Sequence, residues 1–190
     1  MSSKYSFSPQ KEDGYLLLMF FLIAILIIIK SYFNGYLTPD STEYLALAQN
    51  LLEGNGYFIS TDQNLDKPSN FFAKWPVGYP TLIYVIAKIT GFSVYWASKI
   101  LNIALVFWVL IFFRSLFNKN AYIYTFIFLF ASFLEIYSYT WSETIFIFSL
   151  IWFSTSLYKE ISLDRNPMMT FISLASASIA LFLSRYIGIF

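Results

Sequence analysis

The residues best suited to chemistry are carboxylates that collect in one polar stretch of an otherwise apolar chain. Five of the eleven acidic residues lie between positions 34 and 92, namely Asp40, Glu43, Glu53, Asp62 and Asp66. The chain has no histidine and no cysteine. An imidazole base, a Ser-His-Asp triad, a histidine-based zinc site and a thiolate nucleophile are therefore excluded within this chain. Any general base that it supplies is expected to be a carboxylate.

Asp40 has two interpretations. It stands three residues before Glu43, in a pattern typical of a capping box, so its side chain is expected to accept a hydrogen bond from the Glu43 amide. It also stands near the exit of a predicted membrane helix, where a carboxylate can accept a proton from an attacking hydroxyl group. The two roles are compatible, because a cap would fix the position that a base needs.

The elements that must position these carboxylates are apolar helices. The chain is 58% hydrophobic and 12% charged, whereas soluble domains carry about 25% charged residues. A run from Tyr15 to Ile29, extended by Lys30 and an aromatic rim, predicts a first span of about 20 residues. A cleaved signal peptide is the alternative for this run, although no small-residue cleavage site follows it. Further spans are predicted over residues 95–116, 121–139, 142–158 and 168–187, which makes an all-α, polytopic bundle of about five spans.

The distribution of basic residues predicts the orientation of this bundle. Lysines and arginines fall on one side of the predicted spans, at Lys4, Lys11, Arg114, Lys119, Lys159 and Arg165. The rule that basic loops face the cytoplasm places the N-terminus there. Residues 34–92 then form the first outer loop, and residues 93–190 supply the further spans. Because the chain stops at Phe190 without a polar C-terminal segment, it is expected to be the N-terminal part of a longer bundle.

Within the outer loop two surface helices are predicted, over residues 41–53 and 81–90. The first is amphipathic and ends at Gly54 and Gly56, and the second ends at Gly91. The apolar face of the first helix is expected to comprise Tyr44, Leu45, Ala48, Leu51 and Leu52. The part between the two helices, residues 57–74, is predicted to be polar and loop-like.

Several motifs occur in a fixed order relative to the predicted spans. After the first span come Pro39-Asp40-Ser41-Thr42-Glu43-Tyr44 and Gly54-Asn55-Gly56-Tyr57, followed by Lys74-Trp75-Pro76-Val77-Gly78-Tyr79-Pro80. Trp141-Ser142-Glu143-Thr144 opens the fourth span and Ser184-Arg185-Tyr186-Ile187-Gly188 closes the fifth. This order resembles the GT-C superfamily of membrane glycosyltransferases, nearest to the protein O-mannosyltransferase and aminoarabinose-transferase-like group of family 39 type. Many members have Asp-Glu at the position of Asp40-Ser41, so this chain departs from the pattern at the second acid.

The resemblance implies an inverting enzyme of the extracytoplasmic face, in a bacterial-type inner or plasma membrane. It would move one sugar from a polyprenyl-phosphate carrier to a protein, lipid or glycan acceptor. Asp40 would be the catalytic carboxylate, which either acts as the general base or orients the acceptor, and Glu43, one turn on, is the candidate replacement for the missing second acid. Lys74 and Arg185 would contact the donor phosphate, since arginine grips phosphate bidentately and lysine acts as a point charge. Their alternative role is snorkelling to the membrane interface.

Four further residues are candidates: three for substrate contact, each with a structural alternative, and one as a secondary site. Trp75 and Tyr79 are expected either to wall a sugar or isoprenoid or to belong to the aromatic belt of the interface. Glu143 either contacts substrate or complements the dipole at the start of a helix. Glu135, an acid in the third predicted span, is a secondary candidate that is expected to face the bundle interior or a wet cavity.

No cofactor is indicated by the sequence. GxGxxG, P-loop and metal-ligand spacings are absent, so no nucleotide or ATP site is predicted, and a need for a divalent metal is left open. The net charge of +1 excludes a strongly basic nucleic-acid binder. Two alternatives to the enzyme stay open: a transporter or flippase-like subunit, with Glu135, Asn102 and Lys99 lining a path, and an assembly subunit.

Overall fold

The fold is known from a computed structural model that describes residues 11–35, 37–59, 70–72, 74–162 and 167–185. Some residues used above lie outside the described residues: Lys4, Asp62, Asp66, Arg165 and residues 186–188.

Helices make up most of the described chain, as the apolar runs predict. Their bounds are α1 (Lys11–Asn34), α2 (Pro39–Leu52), α3 (Gly78–Thr90), α4 (Val94–Phe117), α5 (Ala121–Tyr124), α6 (Ala131–Ser138), α7 (Glu143–Ser162) and α8 (Pro167–Ser184). The segment predicted to be loop-like contains a short antiparallel pair, β1 (Phe58–Ile59) and β2 (Asn70–Phe71), with Phe58 opposite Phe71.

Long-range contacts show that α1 and α4 run antiparallel. The Tyr95 hydroxyl near the start of α4 donates to the Ser31 carbonyl near the end of α1, over 2.7 Å. At the opposite end of the same two helices, Arg114 forms an ion pair with Asp13. The amphipathic helices α2 and α3 therefore lie at the end of the bundle where α1 and α8 finish and α4 and α7 begin.

Three segments are long and apolar enough to cross a membrane: Lys11–Phe33, Val94–Leu129 and Pro167–Ser184. On α1 the buried positions, Ile23 and Ile27 among them, follow one face, whereas Leu18 and Phe21 on the other face are more than half exposed. Such large exposed apolar side chains on long helices are consistent with contact to lipid. The described residues thus fit a membrane protein with three candidate spans.

The predicted span over residues 121–139 is not a continuous helix. After α5 the chain makes a 3-10 turn over Thr125–Leu129, and Phe130 is extended with ψ of 139° before α6 begins. The interruption buries Phe128 to 2% exposure against the rings of Phe113 and Tyr137. No proline or glycine marks the break, so the sequence gives no local signal of it.

The two surface helices form where they are predicted. Helix α2 ends before Gly54, whose φ is 81°, and α3 ends at Gly91, whose φ is 72°. Both angles are left-handed values that glycine adopts at little cost. The buried residues of α2 are Ser41, Tyr44, Leu47 and Ala48. Leu45 and Leu51 are half-buried and Leu52 is exposed, whereas Leu47, which the predicted apolar face did not include, is buried.

Candidate functional site

A cavity of about 220 Å³ opens at the end of the bundle that carries α2 and α3. Its walls come from α2, from the segment before α3, from the start of α7 with the turn before it, and from the end of α8. The lining residues are Asp40, Tyr44, Trp75, Pro76, Trp141, Ser142, Glu143 and Arg185. Four predicted site residues, Asp40, Trp75, Glu143 and Arg185, therefore lie around one space.

Asp40 is not the N-cap of α2, so the predicted capping role was wrong. The cap is Thr38, whose Oγ1 accepts a hydrogen bond from the Ser41 amide at 3.2 Å. Pro39 occupies the first helical position, where its fixed φ suits a helix start. Asp40 thus falls inside the first turn, where the helix dipole favours a negative charge, and its side chain lines the cavity.

Two hydrogen bonds hold the start of α2 against the turn between α6 and α7. The Trp141 indole nitrogen donates to Thr38 Oγ1 over 2.8 Å. The Tyr44 hydroxyl donates to Ser142 Oγ over 3.1 Å. Burial raises the pKa of Tyr44. Asp40 is therefore carried on a helix that is fixed to the opposite cavity wall.

Glu143 and Arg185 form a hydrogen-bonded ion pair on the cavity wall. Glu143 is the first residue of α7, and Arg185 directly follows α8. The Arg185 guanidinium also lies 6.0 Å from the centre of the Phe146 ring. Since a guanidinium carries five N–H donors in a fixed fork, the bond to Glu143 leaves it the capacity to bind an anion in the cavity.

Lys74 and Glu43 pair with each other beside the cavity and do not line it. Lys74 Nζ donates to Glu43 Oε1 over 2.7 Å, and the Lys74 side chain is 56% exposed. This hydrogen bond raises the pKa of Lys74, and the nearby charge of Asp40 acts in the same direction. Of the two cations predicted to contact phosphate, only Arg185 is on the cavity wall.

Tyr79 lies beneath the cavity rather than on its wall. Its side chain is fully buried, its hydroxyl donates to Asn102 Oδ1 over 2.9 Å, and its ring meets the Tyr44 ring edge-on. Burial raises the pKa of Tyr79 far above its ordinary value. The predicted aromatic wall was therefore wrong for Tyr79.

The second indole of the wall is Trp141, which the sequence analysis named only as the first residue of the Trp141-Ser142-Glu143-Thr144 motif. Its ring stacks on Tyr139 at 4.4 Å between centroids. The one signal that pointed to it was its position directly before Ser142-Glu143. Tyr44 and Ser142 were not predicted as wall residues either.

The polar residues proposed for a transport path do not share one. Glu135 is exposed, so its predicted inward orientation was wrong. Lys99 and Asn102 are buried to 1% and 0% exposure and bond to the backbone at the end of α6. Glu135 is thus exposed, whereas Lys99 and Asn102 are buried and hydrogen-bonded, so the three side chains do not line one path.

Over the described part of the chain, no group of three acidic residues is arranged to hold a metal ion. Comparisons with protein-family models, with curated proteins and with solved structures give no match to this chain.

Proposed function

We propose that this protein is a membrane glycosyltransferase that moves a sugar from a polyprenyl-phosphate-linked donor to an acceptor on the extracytoplasmic face, with inversion. The observation that carries the proposal is the cavity shared by Asp40 and the Glu143–Arg185 pair. The proposed transfer requires a carboxylate to accept a proton and a cation to stabilise the leaving phosphate. Asp40 and Arg185, which line the same cavity, supply these two groups. The resemblance of the ordered motifs to the GT-C superfamily supplies the reaction.

In the proposed reaction the acceptor hydroxyl attacks the anomeric carbon of the donor sugar. Asp40 accepts the proton of that hydroxyl as the new glycosidic bond forms. The bond between the anomeric carbon and the phosphate oxygen breaks on the opposite face, and polyprenyl phosphate leaves with the electron pair. Arg185 stabilises the charge that develops on the phosphate. Attack opposite to the leaving group inverts the anomeric configuration.

The remaining cavity walls suit a sugar. Trp75 and Trp141 present apolar ring surface beside polar groups, the combination that orients small ligands in protein pockets. The Trp75 indole nitrogen is buried and has no hydrogen-bond partner among the described residues. A ligand oxygen that reached this nitrogen would satisfy the unpaired donor.

The arrangement in the membrane is also part of the proposal. It comprises five spans, a cytoplasmic N-terminus and an outer loop over residues 34–92. Arg114, Lys119 and Lys159 lie at the end of the bundle away from the cavity, which supports a cytoplasmic position for that end. The cavity would then open where a lipid-linked donor and an aqueous acceptor can meet.

The test is sugar transfer by the full-length protein and by its Asp40→Asn variant, with polyprenyl-phosphate-linked sugars as donors. Loss of general base catalysis is expected to lower transfer by about 10²- to 10⁴-fold. The matched control is Glu53→Gln, which removes an exposed acid at the other end of α2 and is expected to change transfer less than about twofold.

Two results would contradict the proposal. Equal transfer by wild type and Asp40→Asn would remove the role of the carboxylate. Absence of transfer by folded wild type from every lipid-linked sugar tested would overturn the enzymatic function. Movement of the same lipids across proteoliposome membranes would then identify the transporter or flippase-like alternative.

A further inference from the structure

The end of α6 presents three consecutive backbone carbonyls to two side chains of α4. Asn102 Nδ2 donates to the carbonyls of Tyr137 and Tyr139, each over 2.9 Å. Lys99 Nζ donates to the carbonyl between them, that of Ser138, over 2.6 Å. The last carbonyls of a helix have no partner within it, and leaving them unpaired in an apolar surrounding is costly. Lys99 and Asn102, one turn apart on α4, supply the hydrogen-bond donors for these carbonyls.

Asn102 also holds the chain on the far side of the turn. Its Oδ1 accepts from Thr144 Oγ1 over 3.1 Å, in addition to the Tyr79 hydroxyl. The amide thus uses both of its donors and both of its acceptor positions. The buried Asn102 side chain therefore hydrogen-bonds both to the end of α6 and to the start of α7.

The residues between these two points of attachment line the cavity. Trp141, Ser142 and Glu143 lie between Tyr139 and Thr144 in the chain, and all three line the cavity. Lys99 adds a bond to Thr140 Oγ1 over 3.0 Å, inside the same turn. Neither Lys99 nor Asn102 is among the lining residues, so any effect of theirs on a ligand passes through the turn.

We propose that Lys99 and Asn102 are positioning residues, which hold the 138–144 turn from the buried face of α4 and thereby place Trp141 and Glu143 at the cavity. The Lys99 side chain suits this place, because its Nζ donates to the Ser138 carbonyl and to Thr140 Oγ1 at once. Through Glu143 the same turn also orients Arg185, its partner in the ion pair.

The first test needs neither a substrate nor an activity. The chain has no cysteine, so Ser142→Cys introduces a single thiol on the cavity wall. Its rate of reaction with a membrane-impermeant thiol reagent is measured in the full-length protein, alone and combined with Lys99→Met or Asn102→Leu. Loss of these buried hydrogen bonds is expected to raise the rate about tenfold.

The matched control breaks a polar contact elsewhere in the bundle. Ser173→Ala removes the bonds that Ser173 makes with Trp152 and Ser156 between α7 and α8, and it is expected to leave the labelling rate unchanged. Lys99→Met keeps an unbranched apolar side chain and removes the amino group. It remains a test of the proposal if Asn102→Leu does not fold. Unchanged labelling in folded Lys99→Met, or equal acceleration by Ser173→Ala, would overturn the proposal.

The second test measures coupling to the site and rests on the proposed function. If Lys99 acts on transfer through the turn by way of Glu143 and its partner Arg185, Lys99→Met lowers transfer about tenfold in the wild-type background and less than about twofold when Glu143→Gln is already present. Equal factors in both backgrounds would contradict the positioning role. If wild type transfers no sugar, the proposed function fails, while thiol labelling still decides whether Lys99 and Asn102 hold the turn.

Discussion

Gly78 lies directly against the backbone of Leu183, joining the start of α3 to the end of α8. A Cβ at position 78 would stand 2.8 Å from the Leu183 Cβ and closer still to its carbonyl oxygen. The contact therefore requires glycine because of space rather than because of backbone angles. Arg185 follows two residues later, so this approach sets where the guanidinium enters the cavity.

We expect Gly78→Ala to destabilise the protein by about 1–3 kcal/mol, the usual cost of adding a methyl group to a filled contact. Thermal unfolding in detergent measures the loss. The control is Gly14→Ala in α1, where an added Cβ meets nothing within 4 Å, and where alanine is expected to stabilise the helix by about 0.5–1 kcal/mol. Equal stability of Gly78→Ala and wild type would mean that the two helices do not meet as described.

The cap of α2 leads to a second prediction. Thr38→Val removes the oxygen that accepts from the Ser41 amide and the Trp141 indole. Its free energy of unfolding is expected to fall by about 1–2 kcal/mol, whereas Asp40→Asn is expected to change it by less than about 0.5 kcal/mol. Chemical denaturation of both variants measures the order. The reverse order would restore Asp40 as the cap.

The two cations near the cavity are expected to differ in their effect on transfer. Arg185→Met removes the guanidinium from the cavity wall and is expected to lower transfer from a lipid-linked sugar about 100-fold. Lys74→Met removes an ammonium that pairs with Glu43 outside the lining, and is expected to lower transfer less than about fivefold. Initial rates at saturating acceptor compare the two. A larger loss in Lys74→Met would place the phosphate beside α2.

Tyr44→Phe tests whether α2 must be tied to the start of α7. The lost bond to Ser142 is expected to cost about 1 kcal/mol of stability, together with a loss of transfer, because α2 carries Asp40. Tyr57→Phe removes a bond of the same 3.1 Å length to Thr81 and serves as the control. We expect a similar change in its unfolding midpoint with transfer intact. Parallel losses of transfer in both variants would show that stability alone limits activity.

The sequence predicted the helical class and several helix ends, because these depend on residues within one or two turns. Uninterrupted apolar runs predict α1, α4 and α8, and the glycines at 54 and 91 mark where α2 and α3 end. The break at Phe130 was not predicted. It depends on the burial of Phe128 among rings from other helices, which no local pattern records.

Taken alone, the sequence determined an apolar, helical chain with its acids gathered near Asp40, since composition and hydrophobic runs are properties of the chain itself. Only the tertiary structure decided which of those acids faces a cavity. In that structure Thr38 is the cap of α2, and Glu43 pairs with Lys74. Tyr79 is buried and Glu135 is exposed. Glu143 pairs with Arg185, which lies 42 positions further along the chain. The physical reason is that each of these outcomes depends on packing between helices distant in sequence, whereas spacing along one helix reports only on neighbours within a few residues.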